Sequence, residues 1–477
     1  MERIDVIDKG QSESFAREIT DIEGTLPAGL DGTLLRNGAG ATSVGEDRVA
    51  FLDAHALVAA LDVRDGRAYF RAVHPDTAAR REELAAGRLT RRRVFTNLRG
   101  WWKNAFNLEL GNSACHDVYA WGGKVYAADL GEHWALAAPS LATEGPERWS
   151  SVVERDELLA PMPRDDVARG RLVAYALRRS PSKGDSLAFV EVDEALGKVA
   201  RTAAVPLKGI VHDQAFTDRW YATFQIPVTP KPLPALLGTA PLWWAFGWRD
   251  EGPTLILAPR GREGEAVKVR LDASLRTIFH VINAYDDGDD VVIDAMGYDG
   301  PVLFDVVMPA AKRRAHRTPP NNRIVRVRAT PANGTATVEP FEGAFGEAPE
   351  VAPAMHGKRH RAAWFAALPS GLEREASTYL FARRVGRLDV ESGEVTSWDA
   401  GEGCHVSPVA FAPDTSSDDP EAGWALAWVL DLAKETCDVV VLDANDLPAG
   451  PIARVKLGAY LPATSHTRFA PGLRTRA

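Results

Sequence analysis

The chain has few cysteines, no excess of positive charge and no long apolar run, and each shortage narrows what it can be. Its three cysteines, Cys115, Cys404 and Cys437, are too few and too scattered for a disulfide framework or a Cys-rich zinc site. They read as buried or half-buried thiols of a protein kept in a reducing cytoplasm. Lys and Arg total 56 against 65 Asp and Glu, a net charge of -9. The single basic run, Thr90-Arg91-Arg92-Arg93, stops at Val94. Neutralising a phosphate backbone needs a basic footprint, so nucleic acid is not expected as a partner. No stretch reaches the ~20 apolar residues that span a bilayer. The most apolar segment, Pro232 to Trp248, is interrupted by Pro and Gly. The polar opening MERIDVIDKGQSES has no basic region leading into an apolar core, so no secretory signal is expected and the location expected is cytoplasmic.

Helix signals are also scarce. Asp76 to Ala86 is the best of them, a run of Ala, Arg, Glu and Leu that Gly87 is placed to end. What dominates instead is short apolar or alternating runs every ten to fifteen residues between turn signals. They include Val118 to Ala128, Leu172 to Leu177, Leu187 to Val192, Trp220 to Ile226, Val291 to Met296, Arg323 to Val327, residues 378–381, Trp424 to Leu430 and Val439 to Asp443. Arg64-Asp65-Gly66-Arg67 and Trp121-Gly122-Gly123-Lys124 carry hairpin chemistry. With 45% hydrophobic residues the 477-residue chain can bury a large all-β core. No fixed-period repeat separates a propeller from a large β-sandwich.

Of eleven histidines, three sit in strand-like contexts far apart in sequence: Val211-His212-Asp213, Phe279-His280-Val281-Ile282-Asn283-Ala284-Tyr285, and Thr464-Ser465-His466. A metal held by neutral imidazoles needs such residues from separate strands pointing at one axis. A lone His in an apolar strand can equally be a hydrogen-bonded core residue, and spacing leaves both readings open.

The surrounding words resemble the carotenoid cleavage oxygenase family over about residues 25 to 470. Pro27 to Gly38 resembles its opening motif, Gly111-Asn112-Ser113-Ala114 its Asn-Thr-Ala strand, Val211 to Tyr221 its His-Asp motif, and Phe279 to Tyr285 its most specific one. Leu442-Asp443-Ala444, Pro451 to Leu457 and Leu461-Pro462 lead to the last histidine as the family's C-terminal segment does. The resemblance implies an all-β fold, a seven-bladed β-propeller with loops and short helices capping the central axis, as a single domain over 1–477 with residues 1–25 as an N-terminal extension. It also implies Fe(2+) on the axis and cleavage of a conjugated C=C bond of an apolar substrate, a carotenoid, apocarotenoid or related isoprenoid, with O2.

The pattern is incomplete. The family's first ligand histidine aligns with Met162 in Ala160-Pro161-Met162-Pro163-Arg164-Asp165-Asp166, leaving His212, His280 and His466 as metal ligands. A thioether suits Cu(I) better than Fe(II), so Met162 leaves that coordination position open or merely fills space. Of the three glutamates that orient the family's imidazoles, one persists as Glu347, implied to hold His280. Asp129 stands at a second position, for His212, and Ser407 at the third, for His466, unless Glu402 or His405 substitutes. Ordinary strand polarity explains Asp129 and Ser407 as readily. The Phe-Asp-Gly-Asp-Gly motif keeps Asp53 and little else.

Trp101, Trp102, Trp243, Trp244, Phe246 and Trp248 lie in Gly- and Pro-rich contexts. They line a route for an apolar substrate or pack a long loop onto the propeller. Residues 232–248 align with an apolar insertion that docks on membranes in the family, which implies peripheral membrane contact. No Tyr and Lys pair marks a stilbenoid phenol site around Gly100 to Asn104 and Asn107 to Asn112. The competing functions are a propeller that has lost oxygenase chemistry and acts as a lyase or isomerase, and a non-enzymatic binder of a lipophilic ligand.

Overall fold

The computed structural model describes residues 6 and 9–476, apart from 108, 181, 301–321, 369–381 and 463. The expected strand at 378–381 therefore lies outside the described residues. Seven antiparallel sheets of four or more strands follow one another along the chain. Blade 1 is built from Phe15–Ile19, Arg67–Val73, Val58–Arg64, Gly32–Ala41 and Thr464–Pro471. Blade 2 spans Asp117 to Glu147, blade 3 Glu157 to Pro206, blade 4 Gln214 to Arg270, blade 5 Thr277 to Pro340, blade 6 Gly346 to Asp399 and blade 7 Cys404 to Ala459. This is the seven-bladed propeller that the motifs imply.

Local chemistry makes the blades. Asp65 and Gly66, with φ of 50° and 71°, and Gly122 and Gly123, at 55° and 76°, turn two hairpins through the left-handed conformations that match strand twist. The helix covers Ala78–Ala86. The Thr77 side chain accepts from Arg80 N–H, and Gly87 ends it at φ 62°. Apolar side chains fill the spaces between sheets. Leu255, Leu257, Ile278, Val281, Ile293 and Val325, for example, lock blade 4 onto blade 5.

The ring is closed by pairing the two ends of the chain. Gly32 to Gly38 runs antiparallel to Thr464–Pro471, with Asn37 opposite His466. The segment expected to be an extension also takes part. Phe15–Ile19 forms the outer strand of blade 1, and Ile22–Gly24 pairs with residues 453–455 as the outer strand of blade 7. Open edges invite unwanted pairing, and this segment covers two of them.

The innermost strands touch across blades: Thr464–Pro471 meets both Asp117–Trp121 and Ala410–Pro413, and Thr277–Asp287 meets Gln214–Phe216 and Gly346–Glu350. Residues at the starts of these strands face the axis. Among the described residues no helix is long and apolar enough to cross a membrane.

Asp53, retained from the degraded motif, is buried between the blade 1 loops and accepts the Phe95 N–H at 3.0 Å. Burial pushes its carboxyl up to about 7 despite the hydrogen bonds that oppose it. The folded state thus holds a proton that the unfolded state releases near pH 4, so stability falls as pH rises between the two values, by at most about 1.4 kcal/mol per pH unit. Asp53→Asn keeps an acceptor without the charge. Thermal melts from pH 4 to 8 should show wild type losing stability relative to Asp53→Asn up to about pH 7; parallel curves would refute the assignment.

Candidate metal centre

His212 precedes the inner strand of blade 4, His280 lies on that of blade 5 and His466 on that of blade 1. The fold brings all three to the axis. Ring centroids of His212 and His280 lie 5.1 Å apart, with Nε2 to Nε2 at 3.3 Å, and those of His280 and His466 lie 5.6 Å apart.

Each ring is held from behind. Glu347, on the inner strand of blade 6, places Oε2 2.5 Å from His280 Nδ1 and accepts the Tyr298 hydroxyl at Oε1 and the Ala348 N–H at Oε2. Burial disfavours an imidazolium at His280, but Glu347 outweighs it and raises the pKa; burial raises Glu347 in turn, and His280 holds it below the usual carboxylate range. His212 stacks on Phe279 at 3.7 Å between centroids, and its carbonyl accepts the Tyr175 hydroxyl at 2.8 Å. Burial, then the neighbouring imidazoles, hold His212 well below its ordinary value.

Asp213 ties blades 3, 4 and 5 together. Its Oδ2 accepts from Arg164 at 2.8 Å and from Val281 N–H at 2.7 Å. Arg164 also donates to the carbonyls of Val281 and Ile282, beside His280.

Two of the expected orienting residues do other work. Asp129 spends its oxygens on Ser113 N–H and Oγ–H, at 3.2 and 3.0 Å, and on Leu130 N–H at 2.8 Å. Its charge acts on His116 and does not figure among the influences on His212. Ser407 donates to the Pro408 carbonyl at 3.1 Å and accepts from Trp428 N–H at 3.0 Å. His466 Nδ1 instead donates to the backbone carbonyl of His116 at 2.7 Å. A peptide carbonyl thus takes the place expected of Ser407.

His116 is the residue that sequence reasoning missed. It immediately precedes the inner strand of blade 2, and its ring lies 5.4 Å from His212 and 5.5 Å from His466. Burial, reinforced by His466, brings its pKa down to about 4, so it is neutral. The signal was available as Cys115-His116-Asp117, a His-Asp pair after the Asn-Ser-Ala motif that parallels His212-Asp213. Met162 is buried on the same axis. It lines a cavity of about 60 Å³ together with His280, His466, Arg164, Asp213 and Arg468.

Trp101, Trp102 and Phe106 are 60%, 65% and 76% exposed, and Leu233 beside them 63%. Trp243, Trp244, Phe246 and Trp248 are half-buried, with Trp243 packed on Phe95 at 5.2 Å.

Residues 9–471 match the model of the retinal pigment epithelial membrane protein family, the carotenoid cleavage oxygenases. The chain belongs to this family. It is 26% identical to the apocarotenoid-15,15'-oxygenase of Synechocystis over 97% of this chain and 95% of that one. It is 24% identical to the isoeugenol monooxygenase of Pseudomonas nitroreducens, covering 94% of each. Among solved structures, the cobalt-substituted Synechocystis apocarotenoid oxygenase superposes with a TM-score of 0.90 at 24% identity over 98% of both chains. The family, propeller fold and oxygenase class implied by the motifs are borne out.

Asn37 Nδ2 donates to the carbonyls of Ala114, at 2.6 Å, and Asp117, at 2.8 Å, on either side of His116. Asn37→Ala would remove both hydrogen bonds, at roughly 1–2 kcal/mol each. Denaturant unfolding should show a loss of about 2–4 kcal/mol, and a loss under about 0.5 kcal/mol would refute this role.

Proposed function

We propose that this enzyme holds a ferrous ion on His212, His280 and His466 and uses it to cleave a conjugated C=C bond of an apolar isoprenoid-type substrate with O2. Among the described residues, no three His, Cys, Asp or Glu side chains already stand at ligand spacing. The fit therefore rests on donor chemistry. His466 Nδ1 donates to a carbonyl and His280 Nδ1 faces a carboxylate, which fixes the tautomer whose Nε2 lone pair points to the axis. His466 Nε2 is buried with no partner. The Nε2 atoms of His212 and His280, at 3.3 Å, are near the ~3 Å separation of two nitrogens bound at right angles to one ion at ~2.1 Å. The unpartnered His466 Nε2, beside the close approach of His212 and His280, is the observation that carries the reading.

Iron(II), when bound, would supply the one-electron chemistry by which O2 reacts with an alkene. One double bond and one O2 then give two carbonyl products, each keeping one oxygen. The protein's share is placement. Glu347, Phe279 and the His116 carbonyl fix the imidazoles. The relatives' names favour an apocarotenoid or a phenylpropenoid-type alkene. The absence of a Tyr and Lys phenol grip tips the choice to an apocarotenoid. The exposed Trp101, Trp102, Phe106 and Leu233 form an apolar face for peripheral contact between this cytoplasmic protein and a membrane that carries such substrates.

Anaerobic reconstitution should give one iron per chain, and an apocarotenal should then drive O2 uptake with aldehyde products detected by mass spectrometry. Glu347→Gln should keep the fold and weaken iron binding by about 10–100-fold. A wild type that takes up no iron, or iron-loaded protein that consumes no O2 with conjugated alkenes, would end this reading. Sedimentation with anionic lipid vesicles should drop severalfold for Trp101→Ser/Trp102→Ser/Phe106→Ser; unchanged sedimentation would remove the membrane face.

A further inference from the structure

We infer that the fourth protein ligand of this centre is His116 of blade 2, which replaces the histidine lost at Met162 of blade 3. The inference rests on the metal-centre reading above and concerns which residues complete it. His116, His212, His280 and His466 form a closed ring in which successive imidazole centroids lie 5.4, 5.1, 5.6 and 5.5 Å apart. A side chain outside the donor set would not be spaced as evenly as its members.

His116 Nε2 is buried and, like His466 Nε2, has no hydrogen-bond partner. An unpaired buried nitrogen costs roughly 1–3 kcal/mol, so this atom calls for a partner that the surrounding side chains do not supply. A shared cation meets that need for both rings at once.

The backbone is built to aim this residue. Asn37 takes the carbonyls of Ala114 and Asp117, Ser465 takes that of Cys115 at 2.8 Å and His466 takes that of His116. Four successive carbonyls are thus fixed by side chains of blade 1, and Ala114 is held at φ 53°, a left-handed conformation unusual for alanine. Such strain persists only where its surroundings over-determine it. His116 also has two tasks in one residue: its carbonyl orients His466 and its ring joins His466 at the axis.

The test compares wild type, His116→Ala, Met162→Ala and His212→Ala, loaded anaerobically with Fe(II) or Co(II). The alanine at 116 keeps the carbonyl that holds His466, so its effect reports the ring. His116→Ala should weaken metal binding by at least about 10–100-fold, as should His212→Ala, and change the visible Co(II) ligand-field bands. Met162→Ala should leave affinity and bands as in wild type. Wild-type affinity and bands in His116→Ala, or their loss in Met162→Ala, would overturn the assignment while leaving the metal-centre reading in place. Wild type that binds neither metal would overturn both. Should His116→Ala fail to fold, Co(II)-loaded wild type decides by its paramagnetically shifted exchangeable imidazole N–H protons: four support His116, three overturn it.

Discussion

The antiparallel pairing of Gly32 to Gly38 with Thr464–Pro471 is the contact on which the rest depends. It closes the ring of blades, and it also builds the centre. The ladder sets Asn37 opposite His466, so one pair of residues reaches from blade 1 into the start of blade 2 and clamps the carbonyls around His116. Ring closure in a propeller is usually a matter of stability alone. Here the last strand brings an imidazole to the axis while its Ser465 and His466 side chains order a neighbouring blade. The closing ladder and the polar network at the axis therefore form one cooperative unit, and neither can be loosened without the other.

Charge at the axis is arranged to keep imidazoles neutral except where a carboxylate faces one. Burial lowers His116, His212 and His466, whereas at His280 Glu347, with Asp213, outweighs burial and the pKa rises. Neutral imidazole is the form that binds a metal. The other buried carboxylates nearby are engaged elsewhere: Asp213 with Arg164, and Asp117 with Arg468 at 2.7 Å. These ion pairs join blades 3 and 4 and blades 1 and 2.

Much of this was legible before any coordinates. Strand texture, the Asp65-Gly66 and Gly122-Gly123 turns and the capped helix follow from local chemistry, and the motif words bring out the family. The number of blades does not follow from texture, because a meander in a sandwich has the same alternation. The role of residues 15–24 as outer strands was hidden because edge strands with one buried position in five, as in Phe15–Ile19, carry no alternation to detect. Asp129 and Ser407 were assigned by position in a motif. Position says where a residue sits along a strand, but a side chain one methylene shorter than glutamate finds nearer partners, here Ser113 and Leu130. His116 was overlooked for the complementary reason: a search that asks what stands at the four family positions does not ask what stands on the neighbouring blade.

A propeller makes that oversight easy, and it makes the exchange of ligands between blades physically cheap. Each blade contributes an innermost strand to the axis, so residues at or near the ends of these strands are comparable sites around one centre. His466, His116, Met162, His212, His280, Glu347 and Ser407 occupy these seven stations in turn. Moving a histidine from the third station to the second shifts a donor around the ring without altering a strand, a register or a hairpin. What the move does require is a backbone that holds the new donor in place, because the residue before a strand is normally free to relax. The four clamped carbonyls from Ala114 to Asp117 meet that requirement at the second station. At the third station the side chain is apolar Met162, which closes the wall of the small axial cavity that the departed imidazole would otherwise leave larger.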